Sequence, residues 1–375
     1  MSADPDLYLG LMSGTSLDGV DAAIVDFGGS MPVVLYCLTE PYPESISGRI
    51  QELTRSTSIT LDALCGLDVE IAEYYVEVVH QALAAASISA DSIKAIGSHG
   101  QTIHHNPART PQFTLQIGDP NTLCAGSGIT TVADFRRRDM ALGGQGAPLA
   151  PAFHESVFRS SEVTRVIFNV GGIANLTYLP KNPEDPVTGF DTGPGNTLLD
   201  YWINRHLGKK LDAEGAWAAT GRVQPELLQT MISAESYFSR QPPKSTGTEY
   251  FNPNWLENLI HEKQKPEDIQ ATLLELTAQT MTMGINSVEA CADEIYICGG
   301  GVHNVRLLER LRYLLPDARL ESTASLGINP DYVEAIAFAW LARQTINQLP
   351  GNLPSVTKAR SPAILGGIFQ SSSRF

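Results

Sequence analysis

The chain has 375 residues, enough at ~150 residues per domain for two domains that each bury a core, and too many for a peptide hormone or a bare binding motif. Its 26 Lys and Arg against 41 Asp and Glu leave a formal charge of −15, which disfavours a nucleic-acid partner held by phosphate neutralisation. Hydrophobic residues make up 43% and charged residues 18%, a globular mix far from the recipe for disorder.

In chain order, Leu7-Tyr-Leu-Gly-Leu-Met12 and Val20-Asp-Ala-Ala-Ile-Val-Asp-Phe27 alternate as half-buried strands do and flank a polar turn, so a β-hairpin opens the chain. From Leu61 to Ala86, Leu64, Leu67, Ile71, Tyr74 and Val78 recur at helical spacing and predict a long amphipathic helix. Lys94-Ala-Ile-Gly-Ser-His99 reads as a short buried strand ending in a glycine corner. A second hairpin follows over Val166–Leu179. Next, Gly189-Phe-Asp-Thr-Gly-Pro-Gly-Asn196 reads as a corner feeding a helix whose apolar face is Leu198, Leu199, Trp202 and Ile203. Helices are predicted from Asp268 to about Ala292 and from Asp331 to about Asn347. Between them, Glu294-Ile-Tyr-Ile-Cys298 enters Gly299-Gly-Gly301, and a helix follows with Leu307, Leu308, Leu311 and Leu315 inward. Pro350 and Pro354 then break the chain before a short tail.

The longest apolar runs, such as 335–342, fall short of the ~20 residues of a membrane span, so no membrane partner is expected. The first six residues lack the basic and apolar regions of a secretory signal, which makes a cytoplasmic location the expectation. Cys37, Cys65, Cys124, Cys291 and Cys298 are odd in number and scattered; they read as buried thiols, not as a disulfide framework or zinc site. His104 and His105 have no partners at metal-ligand spacing.

Three places could carry chemistry. The first turn, Gly10-Leu-Met-Ser-Gly-Thr-Ser-Leu-Asp-Gly-Val-Asp21, lets backbone N–H groups and hydroxyls approach an anion, with phosphate the natural guest. No Gly-Lys-Ser/Thr closes it, so it is not a Walker loop, and a plain tight turn would use the same residue types. The Gly189–Asn196 corner and the Gly299–Gly301 corner each precede a helix, where polyanions bind.

Together these corners resemble the acetate and sugar kinase, heat-shock and actin superfamily. With Gly97-Ser-His-Gly-Gln-Thr-Ile103, Ala133-Asp-Phe-Arg-Arg-Arg-Asp139 and Gly143-Gly-Gln-Gly-Ala-Pro-Leu149 added, the chain is similar from first strand to last helix to the 1,6-anhydro-N-acetylmuramic acid kinase family. The resemblance implies an α/β, two-domain actin-like ATPase (ribonuclease H-like) fold with ATP and sugar in the interdomain cleft, divided as residues 1–133 and 134–375. It implies use of ATP and water to open the 1,6-anhydro ring of 1,6-anhydro-N-acetylmuramic acid and phosphorylate O6, giving N-acetylmuramic acid 6-phosphate and ADP in the recycling of cell-wall sugar.

The same resemblance assigns the residues. Asp191 is the base that takes a proton from water; its alternative use is to cap the helix at Thr197. ATP falls to Gly14, Thr15, Ser16, Leu17, Asp18, Gly19, Val20 and Asp21 at the phosphates, to Gly171, Gly172 and Asn175 of the second hairpin, and to Gly299, Gly300, Gly301 and Asn304 beside the adenosine. Asp18 is the candidate for reaching Mg²⁺ through water. His99, Gln101, Thr102 and Glu334 are assigned to the sugar pocket. Of Arg136, Arg137 and Arg138, one is expected to be solvated, one to pair bidentately with the sugar's lactyl carboxylate, and one to offset γ-phosphate charge, in no fixed order. A homodimer is left open.

Three competitors remain at this point. In an ordinary sugar or amino-sugar kinase of the same superfamily, Asp191 would deprotonate a substrate hydroxyl. A nucleotide-switched actin-like or chaperone-like module would need a partner surface that no insert supplies. A transcriptional regulator on this fold would need a DNA-reading helix and a basic patch.

Overall fold

The computed structural model describes residues 5–14, 19–56, 58–260, 264–288 and 292–371. They form two α/β units, Met1–Phe153 with Tyr332–Phe375, and His154–Asp331.

The first unit is built on β1 (Leu7–Ser13), β2 (Val20–Asp26), β3 (Val33–Glu40), β4 (Ala95–Asn106), β5 (Phe113–Ile117) and β6 (Thr131–Ala133). β1 pairs antiparallel with β2 and β2 with β3, whereas β4 lies parallel to β1 and β6 parallel to β4. The second unit repeats this plan with β7 (Arg165–Val170), β8 (Ile173–Leu179), β9 (Thr188–Pro194), β10 (Glu294–Cys298) and β11 (Arg319–Ser322). Here β7–β8 and β8–β9 are antiparallel, and β10 and β11 run parallel outward from β7. The orders β3-β2-β1-β4-β6 and β9-β8-β7-β10-β11 are the same path traced twice, the duplicated ribonuclease H-like sheet of the actin-like class.

A last strand, β12 (Gly367–Phe369), returns to pair antiparallel with β6. The first unit is therefore discontinuous. Where the sequence reading drew one division between residues 133 and 134, packing keeps both 134–153 and the chain after Tyr332 with the first sheet. The helix Val333–Ile346 is the reason. Its backbone lies directly on β1 and β4, so close that a Cβ at Gly10 would come within 1.8 Å of the Ala335 carbonyl oxygen, and one at Gly97 within 2.0 Å of that of Phe338. Only glycine permits this approach.

The predicted helix over Leu61–Ala86 has those bounds, capped by Thr60 Oγ1 accepting from the Ala63 N–H. It buries Leu67, Ile71 and Val78, but Tyr75 replaces Tyr74 on the inner face because the stripe drifts with the 3.6-residue turn. In the second unit the helix Thr197–Leu207 buries Leu198, Leu199, Trp202 and Ile203 against the core, about 1.5–3 kcal/mol for each large apolar side chain. The helix Pro266–Ser287 crosses the same core, and Val305–Leu314 buries Leu307 and Leu311 while Leu308 is half-buried. Cys65 is exposed, contrary to the expectation of buried thiols, because it faces away from the helix's packed stripe; Cys37 is half-buried, Cys124 and Cys298 are buried, and Cys291 lies outside the described residues. No described helix is long and apolar enough to cross a membrane.

Candidate active site

In the second unit, Asp191 lies within β9, opposite Asn175 of β8, and not at a corner before the helix. The helix-cap alternative is thereby excluded: the residue preceding that helix is Asn196, whose Nδ2–H instead donates to the Val170 carbonyl at 3.0 Å. Between Asp191 and Gly193 the β8–β9 register slips, Thr192 being the extra residue of a β-bulge. Bulges bend a strand and re-aim the side chains beside them.

The carboxylate so presented is held on one side. Asp191 Oδ2 accepts from Ser245 Oγ and from the Thr246 N–H, both at 2.9 Å. Among the described residues no donor reaches Oδ1. Burial pushes the Asp191 carboxyl up to about 6, against the lowering pull of those two hydrogen bonds; Glu249 adds to the rise and Lys244 opposes it. A carboxylate of that affinity is a competent base near neutral pH. The Lys244–Thr246 segment was not singled out in the sequence; its signal is a run of Ser, Thr and Gly in Lys244-Ser-Thr-Gly247, much like the opening turn.

The three glycine-bearing stretches of this unit converge. The Gly171 carbonyl accepts from the Asn196 N–H at 2.8 Å, and the Gly172 carbonyl from the N–H groups of Gly195 and Thr197 at 2.9 and 3.1 Å. The third stretch packs on the same hairpin: Cβ atoms at Gly299 and Gly301 would each meet an atom of Asn169 or Val170 at 2.3 Å. By contrast, at Gly171, Gly172 and Gly300 nothing lies nearer than 3.4 Å to an added Cβ, so these backbones are in ordinary contact with their neighbours and are not pressed against them. Asn304 is used structurally, its Oδ1 accepting from the Leu307 N–H at 3.1 Å to cap Val305–Leu314.

In the first unit, Thr15, Ser16, Leu17 and Asp18 lie outside the described residues. Around them, Ser13 Oγ donates to Gln101 Oε1 and accepts from Tyr42 Oη at 2.9 Å, while Tyr42 in turn meets the buried Tyr75 hydroxyl at 3.1 Å. Gln101 Nε2 donates to the Gly14 carbonyl at 3.4 Å. At the far side of the turn, a Cβ at Gly19 would come within 2.3 Å of the Glu40 carbonyl oxygen, Val20 is fully buried, and Asp21 Oδ1 accepts from Thr39 Oγ1 at 2.6 Å. The described ends of the opening turn are thus tied to the sheet.

β4 does not end at His99 as predicted but continues to Asn106, because a bulge with Gly100 at φ +73° absorbs the extra residue opposite Met12. His99 Nδ1–H donates to the Ser13 carbonyl at 3.3 Å, which leaves Nε2 to accept from Arg136 Nε and Nη2 at 3.3 and 2.9 Å. Burial, and then the Arg136 charge, drive this imidazole down to about 3, so it is neutral at physiological pH. Arg136 also donates from Nη1 to the Gly146 carbonyl at 2.8 Å. Burial lowers its guanidinium from the ordinary value, opposed by the carboxylates of Glu334 and Asp139. Of the three arginines it alone is turned inward; Arg137 is exposed with its Nε 3.6 Å from Asp134, and Arg138 is exposed. Thr102 Oγ1 accepts from Gln116 Nε2 at 3.1 Å. Asp139, fully buried, fixes the Gly143–Gly146 turn by accepting from the Gly146 N–H at 2.8 Å.

A duplicated actin-like sheet, with glycine corners that converge in one unit and an aspartate of raised proton affinity beside them, is an arrangement that fits the sugar-kinase class. The sequence pattern of the anhydro-N-acetylmuramic acid kinases matches residues 6–371. The chain is 52% identical over 363 residues to the anhydro-N-acetylmuramic acid kinase of Coxiella burnetii (strain Dugway 5J108-111), covering 96% of this chain and 97% of that one. It is 49% identical over 365 residues to the enzyme of that name from Pasteurella multocida (strain Pm70), covering 96% of each, and 49% identical over 364 residues to that of Shewanella oneidensis, covering 96% and 98%. The chain belongs to the anhydro-N-acetylmuramic acid kinase family, and it is a kinase.

Proposed function

We propose that the protein opens 1,6-anhydro-N-acetylmuramic acid with water and phosphorylates the freed O6 in one turnover, yielding N-acetylmuramic acid 6-phosphate and ADP. Asp191 takes a proton from water as the water oxygen bonds to C1. The C1–O6 bond breaks, its electron pair remains on O6, and O6 attacks the γ-phosphorus in line as the bond to the β–γ bridging oxygen of ATP breaks. The carrying observation is the Asp191 carboxyl, pinned through Oδ2 with Oδ1 left over and a proton affinity raised to about 6.

Arg136 is the arginine assigned to the sugar's lactyl carboxylate, since it alone of the three is turned inward, oriented by His99 and Gly146. Glu334 shares its electrostatic neighbourhood, and Gln101 and Thr102 complete this side of the sugar site. The less tightly packed backbone at Gly171, Gly172 and Gly300, close to the start of the helix Thr197–Leu207, supports a polyanionic ligand there, and ATP is assigned to these glycines with Gly14, Gly19, Gly299 and Gly301. Mg²⁺ would supply charge neutralisation on the phosphates of ATP; Asp18, the residue assigned to reach it through water, lies outside the described residues.

Supplying the anhydro sugar and the corresponding reducing sugar in parallel tests the reading. Turnover of the anhydro form is expected; phosphorylation of the reducing sugar alone would make this an ordinary amino-sugar kinase.

A further inference from the structure

β9 is the edge strand of its sheet, and the segment Lys244–Thr246 closes that edge at Asp191. The Asp191 N–H donates to the Lys244 carbonyl at 3.2 Å, and the Asp191 carbonyl accepts from Tyr237 Oη at 2.7 Å, so both main-chain groups of this residue find partners outside the sheet. The side chain is gripped by the next two residues, Ser245 through its hydroxyl and Thr246 through its amide.

The segment is itself anchored. The Lys244 ammonium, only 9% exposed, donates to the carbonyls of Tyr237 and Phe238 at 3.3 Å each and lies over the rings of Tyr237 and Phe190 at 5.0 and 5.7 Å. Beyond it, the buried Glu235 carboxylate accepts from the Tyr237 N–H and Tyr250 Oη at 2.8 Å and from Trp255 Nε1 at 3.1 Å. Phe238 and Phe251 stack with centroids 5.5 Å apart behind these groups. A loop with so much buried support holds one geometry, which a general base requires.

We infer that Lys244–Thr246 is a clamp that sets both the orientation and the proton affinity of Asp191, with Ser245 as a positioning residue for the ring-opening step. Holding Oδ2 with two donors leaves Oδ1 as the oxygen that takes the proton, and it stabilises the anion against burial. The other charged or titratable groups facing this carboxyl are Lys244 and Glu249 from the same loop and Tyr237 from the short helix Ser236–Ser239. Ser245 is exposed, so its hydroxyl can be removed without opening the core.

The inference rests on the reading of Asp191 as the base, and the test separates the two. For Ser245→Ala, the acid limb of the kcat–pH profile should rise by about one unit, since a hydrogen bond to an ionised group is worth at least that much. At the plateau kcat should fall about tenfold with the sugar KM within twofold, and Ser245→Thr should restore both limb and plateau. An unmoved limb, or a raised KM at unchanged kcat, would overturn the clamp and leave Ser245 as a sugar contact or a bystander. Asp191→Asn retaining a tenth or more of wild-type turnover would instead overturn the base, and the clamp with it.

Discussion

In the first unit a β-bulge at His99–Gly100 turns a neutral imidazole toward Arg136; in the second, a bulge at Thr192 turns Asp191 toward Ser245 and Thr246. The two sheets trace the same strand order, but the bulges fall on strands that do not correspond, β4 matching β10 and β9 matching β3; one bulge carries a group that stays uncharged and orients a cation, the other the group proposed above as the base. Burial acts on both, and it disfavours the charged form in each case: it pushes the histidine down and the aspartate up. The same desolvation therefore makes a fixed hydrogen-bond acceptor from one side chain and gives the other a proton affinity near neutrality, as the proposed base requires.

The comparison breaks most sharply at Asp191. Replacing it with Asn keeps the shape and removes the proposed base, and turnover should fall by ~10²–10⁴-fold while the KM for ATP changes little. Lowering the pH should act in the same direction on the wild type. With the Asp191 carboxyl at about 6, kcat/KM should decline roughly tenfold for each pH unit below it, whereas His99, at about 3, should contribute no step above pH 5.

The sugar side should respond through affinity. Arg136→Lys loses the fork that Nε and Nη2 offer His99, and the sugar KM is expected to rise about tenfold with kcat less affected. Arg138→Lys, on the exposed face, should leave both constants within twofold.

The glycine corners separate folding from binding. Gly301→Ala would drive a Cβ to 2.3 Å from Val170 Cγ1 and should cost about 1–3 kcal/mol in denaturant unfolding. Gly300→Ala, with nothing nearer than 3.7 Å, should stay within ~0.5 kcal/mol of the parent and show its effect in the KM for ATP.

A smaller expectation concerns stability. His99, His105 and His154 are held below the ordinary histidine value by burial, the latter two at about 4 and about 3. The unfolded chain binds their protons first, so this contribution is intact above about pH 6.5 and is lost progressively as pH falls from there toward about 3. Asp191, raised in the folded state, works modestly the other way below about pH 6. A Tm that declines from pH 7 to pH 5 is the expected net result, and a flat Tm would contradict it.

Much of this arrangement was legible in the sequence, for identifiable reasons. The hairpins β1–β2 and β7–β8 announce themselves by alternation, and Leu61–Ala86 by a periodic stripe, because each presents one continuous apolar face. In the sequence β9 looks like a corner because Gly189, Gly193 and Pro194 carry turn signals, and in the structure Gly193 and Pro194 lie beyond the bulge. β12 has three residues after Gly366, too few to show any period, and its pairing with β6 depends on chain that is distant in sequence. The Ser245–Thr246 grip on Asp191 spans some fifty positions and rests on one hydroxyl and one amide, which no local pattern encodes. Arg136 could be told from Arg137 and Arg138 only once the helix Phe135–Ala141 fixed which of the three faces inward.

In the proposed reaction Asp191 directs water to the anomeric carbon while the bridge oxygen keeps its place on C6 and accepts the phosphoryl group. Single turnovers in ¹⁸O-water, quenched before the anomeric oxygen exchanges and read by mass spectrometry of the 6-phosphate, test this directly. The account predicts one solvent oxygen at C1 and none between C6 and phosphorus; label found in the phosphoryl group, or absent from the sugar, would contradict it.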